Sequence, residues 1–336
     1  MTSLKEIAAA CGVSVATASK ALNGYPDVGK KTTLLVQNTA KKMGYLPNSL
    51  ARAMRTKTTH NLGVLFIDKM QSGLQHEYFS SLLESFKATA ESKGYDITFI
   101  TQHLISNQSM TYLEHCLYRN CDGVLIASVD FHDPMVTELA NSNIPVVTID
   151  YIFDGCSAIL SDNFGGMKLL TEYVISKGHT DIAFIHGEQT TVTQKRLAGF
   201  FKACQQANLK IPKKYIYQAG YHDPKSSEQA TRALLTLTHP PTCIFYPDDF
   251  SFVGGMNELE RQGLHIPYDI SVAGYDGILL SQVLRPRLTT LKQDSLKIGQ
   301  AAAAKLIENI EHPDTFMPEQ VMIDGYLLEG QTINTL

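Results

Sequence analysis

No stretch of this 336-residue chain reaches the roughly 18 consecutive apolar residues of a membrane span, which excludes a spanning helix. Cysteines are few. The six of them (Cys11, Cys116, Cys121, Cys156, Cys204, Cys243) show no Cys-x-x-Cys spacing, which suits reduced thiols in a cytosol. Enzyme signatures are missing as well: no G-x-S-x-G elbow, no P-loop and no dinucleotide glycine fingerprint. Eleven histidines have no metal-ligand spacing, and the nearest cluster, His115 with Cys116 and Cys121, reads as helix-end packing. The expectation is a protein with no metal, no cofactor and no catalytic set. The opening MTSLKEIAAACG places charges inside its apolar pattern, unlike a secretory signal, which points to the cytoplasm.

What is present is ordinary in amount and uneven in placement. Hydrophobic content of 44% with 18% charged residues fits a soluble globular protein, and the length implies two or three domains. The net charge of −4 hides an asymmetry. Residues 1–60 hold nine Lys and Arg against Glu6 and Asp27, whereas the remaining 276 hold 20 against 31 Asp and Glu. A basic head on an acidic body matches a polyanion-binding module on a soluble scaffold, and equally a solvated lysine-rich surface, so charge alone does not decide.

The head reads as short helices. Ser3 caps a first helix over about Leu4–Cys11, Gly12 permits a tight turn, and Ser14 caps a second helix to about Leu22. A third spans about Lys31–Met43, with Leu34, Leu35, Ala40 and Met43 on one broad face. Two short helices around a glycine form a helix-turn-helix signal, with Leu4, Ile7, Ala8, Val13, Ala18 and Leu22 as its core. The second helix, in VSVATASKALNG, has small residues and one charge, which suits close approach to a major groove. Ser14, Thr17 and Ser19 can bond phosphate oxygens, Val15 and Ala16 can touch thymine methyls, and Lys20 can reach guanine O6/N7. Asn23, at the end of that helix, belongs to the same DNA-facing set. Downstream, SLARAM is too short to be a stable helix alone, and Arg52 and Arg55 flank an apolar Met54 in a pattern suited to a minor-groove wedge.

From these residues on, the chain resembles the lactose/galactose-repressor (LacI/GalR) family of bacterial transcription regulators. The resemblance runs through IAAACGVSVATASKALNG, KKMGYLPNSLARAMRTKTTHNLGVL, KGHTDIAFIHG, KRLAGF, ISVAGYDG and LTTLKQD, which span essentially the whole chain. Lys20 stands where the family usually has Arg, giving a point charge in place of a planar fork. Met54 stands where the family usually has Leu, keeping an apolar but more flexible wedge.

Beyond residue 60, strand-like runs alternate with helical ones, which predicts an α/β body of parallel sheets, too many strands for one sheet and so two lobes. The resemblance implies a helix-turn-helix domain over 1–46, a hinge helix and linker over 47–60, and a periplasmic-binding-protein-like body over 61–336. It places the crossings between lobes near 150–161, 289–294 and 317–321, so that lobe one takes about 61–150 and 294–318 and lobe two about 161–289 and 321–336. Ligands bind such folds at the carboxyl ends of strands. By position, Asp150, Asp248, Asp276 and Gln293 follow predicted strands, and Arg196 opens a helix after IAFIHG. Carboxylates, an amide and a guanidinium suit a hydroxyl-rich ligand such as a sugar. Asp249 reads instead as a cap on the next helix. Tyr221 lies where the family has a cleft aromatic, with Tyr78 and Phe79 as further candidates. The purine-binding branch needs a basic or hydroxyl set just before KRLAGF, where Thr190 and Val192 stand here, which argues against a purine.

The combined expectation is a cytoplasmic, homodimeric repressor that binds a pseudo-palindromic operator under control of a small effector, most readily a sugar. Two alternatives stay open: a global catabolite regulator that binds a phosphocarrier protein, and a two-lobed small-molecule binding or transport protein. The sequence leaves open the effector, whether it induces or corepresses, the operator, and dimer against tetramer.

Overall fold

A computed structural model describes residues 2–45, 58–67, 73–102, 104–105 and 108–336. Contacts divide the chain into two units, Met1–Thr59 and His60–Leu336. The first contains α1 (Leu4–Cys11), α2 (Val15–Leu22) and α3 (Lys30–Lys42). Ser3 and Glu6 form a reciprocal capping box on α1, with the Ser3 N–H donating to the Glu6 carboxylate at 2.7 Å. Gly12 takes the left-handed conformation at φ 65°, and Ser14 then caps α2 by accepting the Thr17 N–H at 3.0 Å. Ile7, Ala8, Ala18, Ala21, Val36 and Ala40 make the buried core.

The α3 face differs from the sequence expectation. Leu34 and Leu35 are 58% and 50% exposed, and Val36 is buried in their place beside Ala40, which is buried as expected. Residues 36 and 40 lie one turn apart and share a face, whereas 34 and 35 are turned about 200° and 100° from Val36. The segment carrying Arg52, Met54 and Arg55 lies outside the described residues.

The second unit is built on two six-stranded sheets. One contains β1 (Asn61–Phe66), β2 (Asp96–Ile100), β5 (Gly123–Ala127), β6 (Val146–Ile149), β7 (Ser157–Ser161) and β13 (Gln320–Ile323), in the order β13-β7-β6-β5-β1-β2 and parallel throughout. The other contains β8 (Ile182–His186), β9 (Ile216–Gln218), β10 (Cys243–Phe245), β11 (Ser271–Asp276), β12 (Thr289–Lys292) and β14 (Tyr326–Leu328), in the order β14-β12-β11-β10-β8-β9, with only β14 antiparallel. A short ribbon of β3 (Leu104–Ile105) and β4 (Gln108–Ser109) completes the strands among the described residues. Helices cover both faces of each sheet: α4 (Glu77–Ser92), α5 (Tyr112–Tyr118), α6 (Pro134–Ala140) and α12 (Ser295–Glu311) on the first. The second carries α7 (Asn163–Ser176), α8 (Thr191–Gln206), α9 (Pro224–Leu235), α10 (Phe252–Arg261) and the short α11 (Leu279–Val283). Burial on two faces explains the near-continuous apolar runs GVLIA and IAFIH.

The chain passes between the sheets three times, as expected, with the first and third passages displaced from the expected places. Ser157–Ser161 pairs with β6 in the first sheet, so the first passage follows Ser161 and does not lie within 150–161. The second falls between β12 and α12, within the expected 289–294. Gln320–Ile323 pairs with β7, so the third passage lies between β13 and β14, after 323 and not at 317–321. Lobe one therefore extends past 150 and past 318. Neither strand declares its sheet in sequence: β7 is buried on both faces inside the sheet, and β13 is a half-exposed edge strand, so pairing partners decide.

Helices α4 and α12 pack tightly because Gly299 lets their backbones meet. A Cβ there would stand 2.3 Å from the Leu82 carbonyl oxygen and 2.8 Å from the Phe86 nitrogen. Gly299→Ala gains about 1 kcal/mol of helix propensity yet must push the backbones of α4 and α12 apart. A net loss of about 1–3 kcal/mol is expected from overpacking, measurable by urea denaturation. An unchanged or raised midpoint would show that the helices have room to separate.

Candidate functional site

Two surfaces carry the predicted site residues. On the first unit, Ala18 and Ala21 turn inward, leaving Val15, Ala16, Lys20 and Asn23 exposed and Thr17 and Ser19 half-buried. The small side chains keep this face of α2 close to its backbone. Ser14 is committed to its cap and its hydroxyl shares a 2.8 Å bond with Thr17. Asn23 donates its amide back to the Ser19 carbonyl at 2.6 Å. The Lys20 ammonium is paired with the Asp27 carboxylate.

On the second unit, a cavity of about 220 Å³ opens where the carboxyl ends of the two sheets face each other. All eight predicted residues line it: Tyr78, Phe79, Asp150, Arg196, Tyr221, Asp248, Asp276 and Gln293. Arg196 lies in the second turn of α8, which starts at Thr191, so it does not open that helix. It is 4% exposed, and its Nε donates to Asn163 Oδ1 at 2.8 Å and its Nη1 to the Pro247 carbonyl at 3.0 Å. Its plane stacks over Tyr275 at 3.6 Å, and Nη2 reaches within 3.7 Å of Asp276 Oδ1. The guanidinium is fixed on two edges and faces the cavity with the third.

Asp276 accepts from Gln293 Nε2 at 2.7 Å, while Gln293 Oε1 is buried with no hydrogen-bond partner. Burial pushes the Asp276 carboxyl up to about 6, against the pull of Arg196. Burial also raises Asp150, which accepts the Ser161 N–H at 2.7 Å. Backbone strain gathers here too. Of seven non-glycine residues with positive φ among the described residues, four line the cavity: Ser128, Asp150, His222 and Asp276.

Of the aspartate pair after β10, Asp248 lines the cavity as expected and Asp249 does not, but the capping role expected of Asp249 falls to Asp248. Asp248 makes the turn, accepting from the Ser251 N–H and the His222 N–H, each at 2.7 Å, and it lines the cavity as well. Asp249 is fully buried and caps nothing downstream; it accepts from Thr290 Oγ1 at 2.6 Å and the Ile278 N–H at 2.9 Å, tying β12 to the loop after β11. Position after a strand does not tell neighbours apart, because the side chains point to opposite sides.

Several lining residues escape a reading of the sequence. His76, ahead of α4 in lobe one, stacks on His222 of lobe two with centroids 4.3 Å apart, and His222 stacks on Phe250 at 4.1 Å. Beside them the Leu279 N–H donates to Glu77 at 2.6 Å, another contact between lobes. Glu188 also lines the cavity and holds the Tyr221 N–H at 3.0 Å. Its place two residues after β8 is a usable signal; nothing in sequence marks His76 or His222.

Three head helices of helix-turn-helix arrangement, and a two-lobed body with a polar cavity at facing strand ends, define a regulator that pairs a DNA-reading module with a ligand-binding one. Comparison with known proteins agrees. Residues 3–48 match the bacterial regulatory proteins of the lacI family, and residues 171–333 match the periplasmic binding protein-like domain. The chain is 30% identical over 324 residues to the HTH-type transcriptional repressor PurR of Yersinia pestis (strain Pestoides F), covering 94% of this chain and 93% of that one. The structure of the lac repressor dimer bound to operator and the anti-inducer ONPF is similar at TM-score 0.81, 24% identical, covering 99% of each chain. A complex of the regulator CelR with cellobiose is similar at TM-score 0.72 and 22% identity, covering 99% of this chain and 100% of that one. A LacI family regulator from Enterococcus faecium with bound ribose is similar at TM-score 0.70 and 23% identity, covering 82% and 99%. The chain belongs to the lacI family of DNA-binding transcriptional repressors.

Burial of Asp276 makes stability depend on pH with a definite sign. Its folded pKa of about 6 lies above the ordinary 3.8, so the folded state holds the proton more tightly than the unfolded chain. Ionisation above about pH 6 therefore costs stability, and the cost fades as pH falls toward 4. Asp276→Asn should stabilise the ligand-free protein at pH 7.5 by about 1–3 kcal/mol and make no difference near pH 4, as read by denaturation at both pH values. Equal stability at pH 7.5 would contradict this account of the buried carboxylate.

Proposed function

We propose that this protein is a cytoplasmic, homodimeric repressor whose hold on a pseudo-palindromic operator is set by a sugar in the interlobe cavity. The observation that carries the sugar reading is the composition of the cavity wall. Four carboxylates (Asp150, Glu188, Asp248, Asp276) and the unpartnered Gln293 Oε1 surround a single guanidinium, with aromatic rings on the flanks. Such a wall takes donor-rich hydroxyl groups, lets Arg196 Nη2 donate to a ring hydroxyl oxygen, and offers aromatic faces to the C–H side of the ring. Thr190 and Val192 line the cavity without a charge, and Thr190 already accepts the Thr193 N–H at 3.2 Å, which favours a sugar over a purine. The ligands of the cellobiose-bound and ribose-bound relatives support the same class.

On DNA, α2 enters the major groove once per half-site, with Lys20 toward guanine and Val15 and Ala16 toward thymine methyls. Arg52, Met54 and Arg55 are proposed to bind the minor groove. The effector acts by differential affinity for two lobe arrangements, and the contacts His76–His222 and Glu77–Leu279 are those that such a rotation remakes.

Calorimetry against a panel of sugars, with purine bases as the competing class, tests the ligand reading. Arg196→Ala should weaken the sugar that binds wild type by at least about tenfold while operator binding without ligand survives. Arg196→Lys should not restore it, because an ammonium cannot reproduce the planar fork. Binding of a purine and no sugar, or full affinity in Arg196→Ala, would refute the assignment. For the DNA reading, operator affinity should fall steeply with salt, by a log–log slope of about −0.9 per phosphate neutralised, and the fragment from His60 should not bind.

A further inference from the structure

The head contains two carboxylates among nine lysines and arginines, and they have different work. Glu6 is consumed in the capping box of α1. Asp27 stands just ahead of α3, where an acidic residue would ordinarily cap the helix, yet α3 is capped by Gly29 with no side-chain bond. The carboxylate turns instead to Lys20, on the exposed face of α2, and pairs with its ammonium. Both side chains are about half exposed, 49% and 52%, so the pair sits at the surface that α2 is read to present to DNA. Lys20 is the one charged side chain of α2.

We propose that Asp27 is a specificity-determining residue, acting as a positioning partner of Lys20 in DNA recognition. The proposal rests on the reading of Lys20 as a base contact. A lysine alone binds any phosphate, because its charge is compact and its stem flexible. Paired with Asp27, the ammonium reaches the duplex already neutralised, and the carboxylate meets repulsion from any phosphate backbone it approaches. Sequence-independent binding is thereby suppressed. A guanine edge behaves differently, since O6 and N7 offer two acceptors to one ammonium, whose three N–H donors can serve the base and the carboxylate together. Asp27 therefore fixes the direction of Lys20 and penalises the wrong contact more than the right one. A surface ion pair is weak enough for the duplex to rearrange it, as this role requires.

The test uses the full chain and a duplex library with randomised sites. Wild type, Lys20→Ala, Asp27→Asn and Asp27→Glu are each used to select binders, and affinities are then measured on the duplex that wild type selects and on a mixed-sequence duplex of equal length. Wild type should select a guanine at one position per half-site, and Lys20→Ala should lose that preference. Asp27→Asn should relax the same position, bind the mixed duplex about 3–10-fold tighter, and steepen its salt dependence by about one phosphate equivalent. The selected duplex should gain less, so the ratio of the two affinities should fall at least about threefold. Asp27→Glu should restore most of the ratio. Melting temperatures should stay level across the set, which separates positioning from folding. If Lys20→Ala alters no base preference, Lys20 is not a base contact and the proposal fails with that reading. If Lys20→Ala does relax a position but Asp27→Asn tightens both duplexes equally, or changes neither, the Lys20 reading stands and the role of Asp27 is refuted.

Discussion

The cavity of the body is organised around a guanidinium kept out of water. Arg196 is 4% exposed, and a buried cation is tolerable only where its donors and its charge are met. Here the meeting partners come from three places in the chain: Asn163 at the start of α7, the Pro247 carbonyl after β10, and Asp276 at the end of β11. Tyr275 lies under its plane. One side chain therefore sets the spacing of the strand ends that form the floor of the cavity in lobe two. Asn163 extends the arrangement, donating to the Ser161 carbonyl at 3.3 Å across the first passage between the sheets.

From that anchor the polar character of the cavity follows. Asp276 is held beside Arg196 in a left-handed conformation at φ 99°, and Gln293 is fastened to it by one end of its amide, which leaves the other end unmet. An unmet buried acceptor and two raised carboxylates are unfavourable in the ligand-free protein, which is why the proposed ligand is rich in donors. Strain of this kind is tolerated because the sheets beneath are packed on both faces and do not yield. In the proposed function a ligand would act on the lobes through contacts that span them, among which the His76–His222 stack and the Glu77–Leu279 hydrogen bond stand at the cavity rim.

Much of this is legible in the chain before it folds. The capping serines at 3 and 14, the turn at Gly12 and the runs DITFI, GVLIA and IAFIH stand where periodicity and cap chemistry put them, because those signals are local. The eight predicted cavity residues converge because strand carboxyl ends in parallel sheets face one way. Elsewhere local signals fail for identifiable reasons. Leu34 and Leu35 look like core by composition, yet the face of α3 that meets α1 and α2 passes through Val36 and Ala40. Helix α9 buries Ser227, Ala230, Thr231 and Leu234 at helical spacing, but two of the four are polar, so its inner face does not read as apolar.

The sequence by itself determined the elements, their α/β class, the basic head and the set of polar residues at strand ends, since each depends on neighbours in the chain. Tertiary structure alone decided which sheet receives Ser157–Ser161 and Gln320–Ile323, that Asp249 ties β12 to the loop after β11, and that Asp27 meets Lys20 and His76 meets His222. Those choices join residues from distant or separately folded segments, 146 positions apart for the two histidines. No periodicity or cap records such a distance, because the contact exists only after the segments have packed.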